Sequence, residues 1–339
     1  MGPIRICCFA MNAAMCVVLM TAGCAGPSKE ADQVQIEPVQ QESPVKLALK
    51  FTPQDATTYR LAKENDRSVE WEGPAGSKPK DFTRGHTGNR MEMTFTQKIH
   101  SVDDKGNAVA EITIESLTYM KRVKDNIVMD FDSSREDDRS NPLGTLIGQS
   151  YTIELTPSGD VVRVIDVGEA RAAVMGDSPS HRTAVGLLSA DAIKNRHRIS
   201  TLPDANEHQL RIGESWSSIK NFSFDLMGAK SYEKIYTLEE VRDIRNHRIA
   251  IATMNAVPSA EEAKELHKAQ ATSPFSQMFD TTERFTGELK LDLTDGKVVE
   301  CREEMLIEWF IVNPNPDDDE RPAALRMTAG RLASIERID

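Results

Sequence analysis

The strongest constraint on this chain is an alternation of apolar and polar residues with a period of two, repeated in segment after segment. Leu47, Leu49 and Phe51 alternate with polar or small neighbours. So do Met91, Met93 and Phe95, then Ile112 and Ile114, then Ile127, Met129 and Phe131. Successive side chains of a strand point to opposite faces, so this pattern puts one set into a core and the other toward solvent. Turn residues punctuate the runs: Asp103–Asn107, Lys124–Asn126 and Pro157–Asp160, the last between Tyr151–Leu155 and Val161–Ile165. After an interruption the alternation resumes at Trp216, with Phe222, Phe224 and Leu226, then Tyr232–Val241 and Arg248–Val257. Arg284–Leu293 and Lys297–Val312 flank Asp295-Gly296, which reads as a two-residue hairpin turn. A polar loop at Asn313–Pro322 precedes a last strand around Leu325–Ile335. The expectation is a mainly β protein: two similar antiparallel meanders forming a curved sheet or half-barrel, with connecting helices.

The interruption has helical spacing. Glu169–Met175 and His181–Leu202 lose the alternation, and in the second Val185, Leu188, Ala192 and Ile199 fall near one face, with Pro203 ending it. Glu261–Ala271 reads as a further short helix. The β segments on either side echo each other. Val102, Asp104 and Asn107 match Val241, Asp243 and Asn246 at the same offsets. Leu155-Thr156 before Gly159 matches Leu293-Thr294 before Gly296, at a spacing of 57 residues from Val102 against 55 from Val241. The reading is an internal repeat, with a β half at 46–166, a helical connection at 167–202 and a second β half at 203–339. One continuous sheet is expected rather than two globules.

Residues 1–23 have the layout of an export signal: Arg5 is the only charge, Ile6–Met20 is uncharged, and small residues follow. The stretch is shorter than the roughly 20 apolar residues of a comfortable membrane span. Thr21-Ala22-Gly23-Cys24 resembles the lipobox of bacterial lipoproteins, although Thr21 stands where that family usually has Leu. The resemblance implies cleavage before Cys24, lipidation of its thiol and a membrane-held product. Residues 24–45, rich in Gly, Ser, Gln, Glu and Pro, read as a flexible tether. Ala25 after the Cys, in place of the Asp that retains lipoproteins in the inner membrane, implies an outer membrane address facing the periplasm. Of five cysteines, Cys7, Cys8 and Cys16 leave with the signal and Cys24 carries lipid. Cys301 remains alone as a small buried apolar residue, with no disulfide or Cys-based metal cluster to form.

The sequence from Asn141-Pro142-Leu143 through Gly148-Gln149-Ser150 to Thr156–Val161, with Leu202-Pro203-Asp204 and Arg211–Trp216, resembles a family of exported bacterial proteins. It is a domain-of-unknown-function group, many of whose members carry lipoprotein signals. The resemblance covers about residues 47–338 and implies a mainly β fold in the cell envelope, without a catalytic residue to transfer.

Chemistry is sparse in the sequence. The net charge of −12 argues against a nucleic-acid partner. The one dense basic run, Lys194–Arg198, reads as a solvated helical face. His86, His100, His181, His197, His208, His247 and His267 show no zinc spacing and read as scattered surface residues. Asp130, Asp132 and Glu136–Asp138 lack the Gly of a calcium loop, and Asp317–Glu320 reads as a solvated acidic loop. No nucleophile elbow or phosphate loop occurs. Aromatic residues, at 6%, are too few for a carbohydrate platform. Met91, Met93, Met120, Met129, Met254, Met305 and Met327 all fall on expected strands and suit either core filling or an adaptable apolar cavity. No catalytic, cofactor or metal residue is assigned. The functional expectation is a membrane-tethered, non-catalytic β scaffold that binds a protein partner or an apolar ligand. The alternatives are a structural or assembly lipoprotein and an envelope hydrolase with carboxylate chemistry.

Overall fold

The computed structural model describes residues 43–72, 83–203, 209–224, 227–259, 278–312 and 324–339. The export signal, Cys24, nearly all of the tether, the expected helix at 261–271 and the acidic loop at 317–320 lie outside the described residues, as do His208 and His267.

Among the described residues, twelve strands make one antiparallel sheet. The first meander is β1 (Ala56–Glu72), β2 (Gly85–Val102), β3 (Ala108–Val123), β4 (Asn126–Asp132), β5 (Ser150–Leu155) and β6 (Val161–Asp166). Long β3 is shared: Ala108–Thr113 pair with β5, and Thr118–Val123 pair with β4. The second meander is β7 (Ser215–Ser223), β8 (Ala229–Ile244), β9 (His247–Pro258), β10 (Asp280–Asp292), β11 (Lys297–Val312) and β12 (Ala324–Arg337). Across the sheet the order is β6-β5-β3-β2-β1-β12-β11-β10-β9-β8-β7. The first and last strands of the chain thus meet at the centre, with Tyr59–Glu72 of β1 against Ala324–Arg337 of β12, and the sheet does not close into a barrel.

Where apolar alternation is clean, the strands follow the sequence. Met91, Met93 and Phe95 on β2 are buried, and so are Ile112 and Ile114 on β3. A bulge shifts the β2–β3 register after Thr94, which returns Leu117 to the buried face despite its odd spacing from Ile114. The two turns of the first repeat match differ in construction. The β2–β3 turn is a five-residue loop, in which the Asp103 carboxylate accepts from the Lys105 and Asn107 backbone N–H groups. Between β8 and β9 only Arg245 and Asn246 intervene, both with positive φ, while Val241 and Asp243 lie within β8. The expected two-residue turn at Asp295-Gly296 is a four-residue loop, Leu293–Gly296, built on the Asp292 side chain.

Two further expectations need correction. Leu47–Phe51 is not a strand of the sheet. Its alternation comes from an extended segment laid across strand ends, whose N–H groups go to turns: Leu49 to Pro157 O and Lys50 to Gly296 O. The long helix expected at His181–Leu202 is broken. Helix α1 (Gly168–Ala173) is followed by α2 (Pro179–Leu187) and α3 (Ala190–His197), because the Ser189 hydroxyl caps a new start by accepting from Ala192 N.

The helices cover the first meander. Ala170, Val174, Ala184, Leu188 and Ile193 join the core that β2, β3 and β5 supply. The second meander is covered by its own curl. Phe222 on β7 and Phe285 on β10 are three strands apart, roughly 14 Å in a flat sheet, yet their rings lie 5.7 Å apart. Arg331 on β12 stacks over Phe222 at 4.9 Å. This half is therefore rolled around an aromatic cluster of Phe222, Phe224, Tyr232, Tyr236, Phe285 and Trp309. The chain leaving α3 crosses between the two arrangements. Thr201 O accepts from Trp216 Nε1, and Ser200 Oγ lies 3.2 Å from Lys234 Nζ. Trp216 opens β7 and stacks on Tyr236 at 5.4 Å.

Candidate functional site

A hollow of about 380 Å³ remains where the helical cover ends and the curl begins. Its floor is the middle of β1, β12 and β11, and its walls are the 195–201 segment on one side and β7 on the other. The lining has two characters. Leu61, Ile199, Phe222, Phe285, Met305 and Ile335 are apolar, whereas Lys63, Arg196, Lys220, Glu303 and Arg331 are charged. The charged residues of the sheet are in phase with buried or half-buried apolar neighbours along each strand. Lys63 follows Tyr59 and Leu61, Glu303 lies between Cys301 and Met305, and Lys220 lies between Trp216 and Phe222.

One ion pair here is complete. Lys234 on β8, with its side chain 2% exposed, lies 2.9 Å from Glu303, which also accepts from the Tyr236 hydroxyl at 2.5 Å. Of the other cations lining the hollow, Arg198 pairs with Asp160, whereas Lys63, Arg196, Lys220 and Arg331 have no carboxylate partner among the described residues. Lys63 Nζ donates to Asn195 O at 2.5 Å. Burial, then the charges of Arg196 and Lys220, bring its pKa down to about 8. Burial and the nearby Lys234 and Arg198 also push Lys220 below the ordinary lysine value. Arg331 is lowered by burial and by Arg67.

The basic run expected to be a solvated face is partly inside. Arg196 is 3% and His197 4% exposed, while Arg198 stays outside and pairs with Asp160 at 2.8 Å. Arg196 donates to the Tyr151 hydroxyl at 3.0 Å and to Leu187 O, and its Nε has no partner among the described residues. His197 sets its edge against Phe95, with ring centroids 4.7 Å apart, and meets Tyr151 OH through Nε2 at 2.5 Å. The surface reading therefore fails for His197, because Phe95 and the β5 tyrosine give the ring both an apolar wall and a polar partner.

Burial, followed by the charges of Arg196 and Lys63, holds the His197 pKa well below the ordinary histidine range. An unfolded chain takes up this proton near pH 6.5, before the folded chain does. Stability present above that pH is therefore lost as pH falls, by up to about 1.4 kcal/mol per pH unit for this one group. His197→Phe, which leaves Arg196 on the Tyr151 hydroxyl, should make the acid side of a stability-versus-pH curve shallower by that slope. An unchanged slope would show that His197 protonates in place.

Other candidate chemistry is already satisfied. His86 lies between Asp66 and Arg122 on the opposite face of the sheet, with Arg122 2.7 Å from its Nδ1 and Asp66 on Nε2, so neither nitrogen is left for a substrate. His247, Asp292 and Asp295 come within 4.8 Å of one another at the β10–β11 turn, from two different hairpins. Asp292 is fully buried there. One of its oxygens accepts from the Thr294 and Asp295 N–H groups, and the other faces His247 at 2.8 Å and Arg337 at 3.6 Å, which makes it a turn anchor. Arg135 fills the calcium-like segment, pairing with Asp130 and Asp138. Cys301 is buried, its thiol pushed up to about 12 by burial and by Glu303. Of the strand methionines, Met305 lines the hollow, whereas Met93 and Met254 are plain core.

No family profile matches the chain, and no curated protein matches it. Among solved structures it is similar to a lipovitellin, described for its lipid–protein interactions, at 10% identity and a TM-score of 0.35. That match covers 86% of this chain, which spans 26% of the lipovitellin chain's length. DynF from the dynemicin biosynthesis pathway of Micromonospora chersina matches at 7% identity and a TM-score of 0.17, over 87% of this chain and 91% of its own. An outer membrane channel from Pseudomonas putida F1 matches at 8% identity and a TM-score of 0.15, over 88% and 100% respectively. TM-scores this low establish no shared fold.

Proposed function

We propose that this chain is an exported envelope lipoprotein, held on a membrane through Cys24, whose curved sheet binds an apolar ligand in the hollow beneath residues 195–201. The hollow itself carries this reading. Its volume falls in the range of small-molecule pockets, roughly 300–1,000 Å³, and Leu61, Phe222, Phe285 and Met305 give it apolar walls. A hydrolase would need a free carboxylate or base at this place. Glu303 is taken by Lys234 and Tyr236, and His197 is not among the residues lining the hollow.

Two measurements test the reading. The neutral apolar dye N-phenylnaphthylamine should gain fluorescence on the protein, and Ala333→Trp, which places a large ring on the β12 floor of the hollow, should remove that gain. Equal gains in both proteins would put the dye elsewhere and sink the ligand reading. Cys24→Ser should abolish acyl labelling and release the protein from membranes. Retention without an acyl label on the wild type would overturn the anchor while leaving the hollow untouched.

A further inference from the structure

The charge of the hollow is opposite to that of the chain. In a protein of net charge −12, Lys63, Arg196, Lys220 and Arg331 converge on one cavity whose only acidic lining residue among the described residues, Glu303, is already matched by Lys234. Lys220 has no hydrogen-bond or ion-pair partner among the described residues, and Arg331 rests on the faces of Phe222 and Phe224 with a single long bond to Ser223 O. Arg196 is almost wholly buried with Nε unsatisfied. Cations gathered this way repel each other and forgo hydration, a cost that a bound anion would relieve. The depressed pKa values of Lys63 and Lys220 report that cost. Four donors at different angles suit a group with several charged oxygens better than a single planar carboxylate.

We propose that the hollow binds a phosphate-class anion between Lys63, Lys220, Arg331 and Arg196, with any apolar portion of the ligand lying against Phe222, Phe285 and Met305. This rests on the ligand-binding reading above and specifies its chemistry. The anion is either the headgroup of an amphiphile or free phosphate.

The test is calorimetric titration of the full chain, in a neutral sugar detergent, with octyl phosphate, octanol and inorganic phosphate. Octyl phosphate should bind most tightly. Lys220→Gln should weaken it about tenfold, the value of one charge-assisted bond, while Lys98→Gln on the opposite face leaves it unchanged. Without ligand, Lys220→Gln should melt above the wild type, because it removes a repelled charge. A lower melting point would mark Lys220 as a structural cation and count against the site. Should inorganic phosphate bind as tightly as octyl phosphate, with the same Lys220→Gln loss, the anion site stands and the apolar-ligand reading falls. If octanol matches octyl phosphate and Lys220→Gln alters neither, the anion site is overturned and the apolar reading stands. Absence of binding by all three probes overturns both.

Discussion

Glu303→Ala should destabilise the protein by about 3–5 kcal/mol, the usual cost of stripping one partner from a buried ion pair. Lys234 has almost no exposure, and without Glu303 its ammonium keeps, among the described residues, Ser200 Oγ at 3.2 Å and the face of the Tyr236 ring at 5.5 Å. The Tyr236 hydroxyl loses its acceptor in the same step. The positive charge already concentrated in the hollow makes this carboxylate harder to replace than an isolated one. Adding Lys234→Met should recover much of the loss, because the unpaired charge leaves with it. Urea unfolding of the single and double variants measures both effects. A single variant within 1 kcal/mol of the wild type would mean that water reaches Lys234 and that the hollow is wetter than described.

Ending the chain at residue 323 should abolish folding altogether. The lost strand, β12, is bonded to β1 along Tyr59–Glu72 on one side and to β11 along Glu300–Val312 on the other. Its removal separates the two meanders, deletes Arg331 and Ile335 from the hollow, and exposes two long central edges that invite aggregation. Far-UV circular dichroism and gel filtration would report it. A monomer that keeps its β signal would show that each meander folds by itself.

The legible part of this structure is the part governed by apolar alternation. Met91, Met93 and Phe95 specify β2, and the helical spacing after residue 167 specifies the cover over it. What the alternation hides is the site. Strand β1 is invisible to an apolar count because Lys63, Asn65 and Arg67 continue the alternation of Tyr59 and Leu61 with polar side chains, those of Asn65 and Arg67 exposed, before Val69 and Trp71 resume it. The phase is unbroken and only the polarity changes, which is the mark of a strand crossing a polar hollow inside a folded sheet. The same in-phase charge occurs at Lys220, Lys234, Glu303 and Arg331. Each looks like an ordinary surface residue alone, because the positions are scattered over nearly the whole chain and only sheet order brings β1, β12, β11 and the curled β7 and β8 together. Arg196 and His197 were hidden for another reason. A basic run on a helix usually faces water, and nothing local announces that Tyr151 and Phe95 wait beneath it.

Native and denaturing mass spectra of the full chain, purified from its own membranes in a neutral detergent, would show whether the hollow carries an anionic ligand. Lipid on Cys24 would survive denaturation, so the two spectra separate the anchor from a bound ligand. A further, non-covalent mass should be released on denaturation, be detected as an anion, and be lost in both Ala333→Trp and Lys220→Gln. A wild-type protein of the same mass in both spectra, or an adduct that persists in both variants, would contradict the proposed anionic ligand.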